Sequence, residues 1–173
     1  MGRGISGHEK PYEGATNVWL TPKELIGALG PFECDPCAAD PRPFDCATVN
    51  YTEADDGLSK RWNGFAWCNP PYGPWVGVWL ERMRTHRNGI ALVFARTDTK
   101  AMQSALHAAD AVFFLAGRLT FLRSAPPFEP AKQNAGAPSI LLGYGGIAVQ
   151  KLLDFSKKRP GVFYPNGERE EAA

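Results

Sequence analysis

At 173 residues and 44% hydrophobic composition, the chain is long enough for one well-filled core and too short for two. Nineteen lysines and arginines against 18 acids leave a formal net charge of +1, so overall charge names no polyanion as partner, and a nucleic-acid contact would need a local basic face. With no signal peptide and no apolar run of membrane-spanning length, a cytoplasmic, membrane-free setting is expected.

Residues 1–15 are glycine-rich and polar, and are expected to form a flexible arm. Trp19-Leu20-Thr21-Pro22-Lys23-Glu24-Leu25-Ile26 opens the organised chain as a helix start. Thr21 can cap that helix, Pro22 suits its first position, and Glu24 can complete a capping box, while Gly30-Pro31 stops it. The same cap could instead turn its free amides toward a ligand carboxylate, and both readings stand.

Phe32-Glu33-Cys34-Asp35 reads as a short strand whose final aspartate either faces a central crevice or caps the next turn. Cys34-Asp35-Pro36-Cys37 has the spacing of a metal pair or a redox motif. Cys34 and Cys68 each fall in a strand, however, and no second close pair or nearby histidine completes a tetrahedral set, so no metal is expected. Residues 38–55 hold turn formers and acids around one plausible short strand, Val49-Asn50-Tyr51. Asp55 and Asp56 alone make a weak metal site.

Phe65-Ala66-Trp67-Cys68 predicts a buried strand, and Pro70-Pro71 ends it because neither proline can donate to a ladder. Asn69 and Tyr72 are thereby held on a rigid turn at a strand's carboxyl end, where open α/β sheets place their ligands. Asn69 Oδ1 and the Pro70 carbonyl can act as two acceptors, with the Tyr72 ring over the planar group they hold. An exocyclic amine donates two hydrogens to such a pair and becomes a better nucleophile as its lone pair leaves conjugation.

A helix is predicted over 74–87, with Val76, Trp79, Leu80 and Met83 inward, then a strand at Ile90–Ala95 apolar enough to be covered on both faces. Arg96 follows at the mouth of the sheet, where a guanidinium can hold phosphate or carboxylate, and Thr97 or Asp98 can cap a helix over 99–108. Ala111–Leu115 reads as a strand, Gly117-Arg118 as a bend toward a sheet edge, and Ser124–Pro138 as a long loop able to carry binding groups. Ser139–Tyr144 and Ile147–Val149 are expected as the last strands, with Lys157-Lys158-Arg159 a solvated basic cluster. No phosphate loop, zinc-deaminase signature or nucleophile elbow is present, and His8, His86 and His107 fall in the arm or in helices.

Asn69-Pro70-Pro71-Tyr72 resembles the catalytic signature of the amino-methylating DNA methyltransferases that use S-adenosylmethionine. Trp19-x-Thr21-Pro22, Cys34–Ala38, Asp56-Gly57-Leu58, Ala95–Thr99 and Gly117-Arg118-Leu119-x-Phe121 are similar, in order, to motifs of the phage-type, Dam-like DNA N6-adenine methyltransferases over about residues 17–150. The resemblance implies an α/β, Rossmann-like methyltransferase domain over 16–165, with a central mostly parallel sheet, flanking helices and a flexible tail at 166–173. It implies methyl transfer to N6 of a flipped adenine in double-stranded DNA. Asn69, Pro70, Pro71 and Tyr72 would form the catalytic turn; Thr21, Pro22, Asp35 and Asp56 would hold the cofactor; and Arg96, Asp98 and Arg118 would lie around the cleft or the DNA backbone. The ribose acid is open among Glu53, Asp55 and their neighbours, and the loop after Asp35 lacks the glycines usual in methyltransferases. A bacteriophage or restriction-modification setting in a bacterial cytoplasm follows, with a monomer or weak dimer needing no protein partner. Cytosine-N4, RNA-adenine and protein-amide methylation, or an inactive DNA-binding relative, are the alternatives.

Overall fold

The computed structural model describes residues 18–132 and 135–166. The expected arm, and all but the first residue of the expected tail, lie outside them. Seven strands, β1 (Cys34–Asp35), β2 (Val49–Asn50), β3 (Ala66–Cys68), β4 (Gly89–Phe94), β5 (Ala111–Leu115), β6 (Ser139–Tyr144) and β7 (Gly161–Pro165), form one sheet in the order β2-β1-β3-β4-β6-β5-β7. The first four run parallel, β6 is antiparallel to β4 and β5, and β7 is antiparallel to β5.

Alternation along these strands divides the core into two layers. Ala66, Cys68, Ala91, Val93, Ile140 and Leu142 face α2 (Val76–His86) and α3 (Lys100–Ala108), which contribute Trp79, Leu80, Met83, Met102 and Ala105. Trp67, Ile90, Leu92, Phe113 and Leu141 face α1 (Lys23–Leu29) and α4 (Gly146–Ser156) on the other side. This is the expected α/β architecture with helices on both faces. No helix among the described residues is long and apolar enough to cross a membrane.

The order of the parallel strands places the site. From β1 the chain moves outward to β2, then returns across β1 to form β3 on its other side. Connections leaving β1 and β3 therefore diverge, and a crevice opens at their carboxyl ends beside Asp35 and Asn69. Since β4 and β5 are each antiparallel to β6, they run the same way, and the loops after Phe94 and Leu115 open on that edge too.

Several local expectations are corrected. The cap position of α1 is Pro22, with no side-chain cap bond, so Thr21 and Glu24 form no capping box. Thr99, not Thr97 or Asp98, caps α3 by accepting from the Met102 N–H. The bend at Gly117 leads not to an edge of the main sheet but to Leu122, which bridges to Leu20 and to Pro130 and ties a hairpin to the segment before α1. Ile147–Val149 is the start of α4 rather than a strand. Three apolar residues carry no periodicity, whereas Ala148, Leu152 and Phe155 together trace a buried helical face. Gly145 makes the sharp turn into α4 at φ 86, where an added Cβ would meet the Arg87 carbonyl at 2.6 Å.

Leu141 is fully buried on β6, whereas the edge strand β7 is largely exposed. Leu141→Ala should lower unfolding free energy in a urea titration by about 2–5 kcal/mol. Val162→Ala on β7 should change it by about 0.5 kcal/mol or less.

Candidate active site

Beyond the end of β3 the chain can no longer pair with the sheet, and Asn69 becomes the first residue whose side chain must find its own partners. The Trp19 carbonyl can only accept, so the amide nitrogen of Asn69 must face it. Nδ2 donates to Trp19 O at 2.5 Å and to Thr21 Oγ1 at 3.1 Å. Both donor hydrogens are thereby used, and Oδ1 is directed away from the anchoring segment. Thr21 is 5% exposed, so its hydroxyl serves as a buried anchor for the asparagine instead of a helix cap.

The Tyr72 hydroxyl donates to Asn69 Oδ1 at 3.3 Å, and its ring stacks on Phe94 with centroids 4.0 Å apart and planes 26° from parallel. The ring expected to stand over a planar ligand thus rests on Phe94, with its hydroxyl covering the acceptor. Burial also pushes the phenol pKa well above its ordinary value, so the hydroxyl keeps its proton and donates. Pro70 is buried, Pro71 is exposed, and the Pro70 carbonyl accepts no hydrogen bond among the described residues. Behind Tyr72, Trp19, Phe94 and Phe121 form an aromatic wall with centroid separations of 5.6–6.4 Å.

On the other side of the crevice, Asp35 is 4% exposed and forms no ion pair among the described residues. Its Oδ1 accepts from the Cys37 N–H at 3.1 Å, so the residue caps the turn and also sits at the switch point. Burial pushes its carboxyl pKa up to about 7, opposed by bonds from Cys37 and Cys46 and by the more distant charge of Arg42. The Cys37 and Cys68 sulfurs are 3.8 Å apart, which joins this turn to the strand carrying Asn69. Among the described residues no three His, Cys, Asp or Glu side chains are arranged to hold a metal.

Gly57 lies against the same turn so closely that a Cβ there would stand 1.8 Å from the Pro36 carbonyl. This contact fixes Asp56 beside the turn, and the Trp62 indole N–H holds the loop by donating to Gly57 O. Asp55 spends its carboxylate on the Thr52 amide and hydroxyl, both at 2.8 Å. The carboxylates of Glu53 and Asp56 are exposed, and no hydrogen bond or ion pair engages them among the described residues.

The remaining predicted residues stand apart from this cluster. Arg96 and Asp98 are exposed in the loop after β4, their side chains uncommitted among the described residues, with the Arg96 carbonyl taking the Thr99 N–H and hydroxyl. Arg118 donates to the Ala135 carbonyl at 3.1 Å, closing the base of the 119–135 hairpin. Within that long loop Gln133 and Asn134 fall outside the described residues. A cavity of about 90 Å³ between α2 and α3 touches none of the predicted site residues.

Phe94, Phe121 and the Trp19 carbonyl are participants that motif reading did not assign. Phe94 closes an all-apolar strand and reads as core; its position as the last residue before a carboxyl edge was the available signal.

A seven-stranded α/β sheet, parallel from β2 to β4 and flanked by α1–α4, is consistent with a methyltransferase-like domain. A family model described as DNA N-6-adenine-methyltransferase (Dam) matches residues 10–145, and the chain belongs to that family of DNA adenine-N6 methyltransferases. The chain matches no curated protein and no solved structure.

Two outcomes follow from the geometry. Thr21→Val removes one acceptor of Asn69 Nδ2 and should lower methyl transfer by about tenfold, the kinetic equivalent of one net hydrogen bond, while Thr21→Ser restores most of it. Asp35 binds its proton more tightly folded, at about 7, than at its ordinary 3.8. Its contribution is therefore full below about pH 4 and lost as pH rises through about 7. Urea titrations should show wild type losing stability across that window relative to Asp35→Asn; parallel pH profiles would contradict the assignment.

Proposed function

We propose that the protein transfers a methyl group from S-adenosylmethionine directly to N6 of an adenine swung out of double-stranded DNA. The orientation of Asn69 is the observation that carries this reading: Nδ2 is occupied by Trp19 O and Thr21 Oγ1, so Oδ1, engaged only by the 3.3 Å bond from Tyr72, is the atom that can serve a ligand. S-adenosylmethionine supplies an electrophilic methyl group on a sulfonium.

The chain's own part is to prepare the nitrogen. When the Tyr72 hydroxyl releases Oδ1, the two hydrogens of the adenine amine are accepted by Oδ1 and the Pro70 carbonyl. Holding both N–H bonds draws the lone pair out of conjugation with the ring. The same acceptors stabilise positive charge as it grows on the nitrogen, which is when their attraction is greatest. The Asn69 amide is held in one orientation by Trp19 O and Thr21 Oγ1, so Oδ1 need not turn for the step.

Tyr72, backed by Phe94, offers a stacking surface to the extruded base. Such stacking is worth roughly 1–3 kcal/mol per base and offsets part of the cost of leaving the duplex. Asp35 suits a cationic cofactor, because its buried carboxylate has no ion-pair partner among the described residues. Asp56, uncommitted beside the Asp35 turn, suits an amine donor such as the cofactor's adenine. Arg96, Asp98, Arg118 and the hairpin after it would then meet the DNA backbone and base edges.

Incubation with labelled S-adenosylmethionine and unmethylated duplex DNA, followed by nucleoside analysis, tests the reading. Wild type should produce N6-methyladenine. Asn69→Ala should lose about 10²–10³-fold or more, the scale of removing one preorganised polar group, while retaining cofactor binding in equilibrium dialysis. Label in N4-methylcytosine or in protein, or near-normal turnover by Asn69→Ala, would contradict it.

A further inference from the structure

Trp75 is 68% exposed, the most exposed large hydrophobic residue of the described chain. The next nearest along its helix, Val78, is 45% exposed and lies three positions on, so the two share one face of α2. The other described tryptophans differ: Trp62, Trp67 and Trp79 are buried, and Trp19 is half-buried in the aromatic wall. A single exposed apolar residue is ordinary on a protein surface, so the position of Trp75 decides its meaning.

That position is at the start of α2, on the carboxyl edge of the sheet that carries Asn69. Trp75 caps α2 three residues after Tyr72, and three residues of chain span at most about 11 Å. At the start of α2, a Cβ on Gly77 would stand 3.1 Å from the Ala101 side chain, which sets the first turns of α2 and α3 side by side. The neighbouring loop and first turn of α3 present Arg96 and Lys100, both exposed and uncommitted among the described residues, with Asp98 between them. An aromatic plate thus stands beside cations next to the acceptor corner. Cations recognise the phosphate strand, while an aromatic or apolar side chain meets bases that have lost a stacking neighbour.

We infer that Trp75 is a DNA-contacting residue that stacks on the base step exposed when the target adenine leaves the duplex. The inference rests on the reading of the protein as a base-extruding DNA methyltransferase, and it assigns to that reaction a residue outside the motifs. Trp75 touches neither the reacting nitrogen nor the cofactor, so its effect should fall on capture of DNA and leave the chemical step largely intact. Val78 widens the apolar face without adding a stacking plane.

Steady-state methyl transfer to unmethylated, PCR-amplified duplex DNA separates these effects. Trp75→Ala should raise KM for DNA about tenfold or more, in line with loss of one stacking contact, with kcat and S-adenosylmethionine affinity changed less than about threefold. Trp75→Phe, which keeps a ring, should stay near wild type. In wild type, DNA should also shield tryptophan fluorescence from acrylamide, and Trp75→Phe should lose most of that shielding. An unchanged KM for Trp75→Ala, or a tryptophan signal no less quenched with DNA, would overturn the inference while leaving the methyltransferase reading in place. A change only in sedimentation would assign the patch to contact between copies of the chain and would equally overturn it. Wild-type protein that neither binds DNA nor methylates it would bring down both readings.

Discussion

Two hydrogen bonds from one side-chain amide organise the candidate site of this protein. Asn69 Nδ2 reaches back across the fold to Trp19 O and Thr21 Oγ1, residues some fifty positions earlier. Because a backbone carbonyl cannot donate, the amide has one satisfactory orientation, and its oxygen becomes a fixed acceptor. Breaking that arrangement would leave a donor unsatisfied in a half-buried setting, a cost of about 1–3 kcal/mol that holds the orientation in place. A corner of two prolines removes the backbone freedom that could otherwise relax it.

Around this anchor, the fold brings together groups from distant parts of the chain. The reversal of strand order between β1 and β3 opens the crevice, the Pro36–Gly57 contact fixes a second carboxylate beside it, and the Cys37–Cys68 contact joins its two sides. Asp35 is buried and forms no ion pair among the described residues, which suits it to the cation of the proposed cofactor. At the opposite end the Tyr72 hydroxyl donates to Asn69 Oδ1 at 3.3 Å, so the proposed reaction requires that bond to give way.

Much of this was legible in the residues. The double proline after an apolar run placed the acceptor corner, and alternating apolar strands and helical faces placed the layers. What escaped reading depended on contacts between distant segments. Thr21 has every attribute of a helix cap, yet α1 starts one residue later, with Pro22 at the cap position, and the Thr21 hydroxyl accepts from Asn69 instead. Asp55 and Asp56 are adjacent and chemically alike, yet the Thr52 cap consumes one and leaves the other uncommitted. Phe94 looks like core because the strand before it is core, and its role follows from being the last residue of that strand. Ile147–Val149 was too short to distinguish strand from helix until the residues up to Phe155 were considered with it.

The central claim concerns which atom of Asn69 meets the reacting nitrogen. The most direct measurement is a crystal structure of the protein with duplex DNA and S-adenosylhomocysteine. The account predicts an extruded adenine with N6 about 3 Å from both Asn69 Oδ1 and the Pro70 carbonyl, Nδ2 still bound to Trp19 O and Thr21 Oγ1, and the Tyr72 hydroxyl withdrawn. An adenine left in the duplex, or N6 held by other residues while Tyr72 stays on Oδ1, would contradict it.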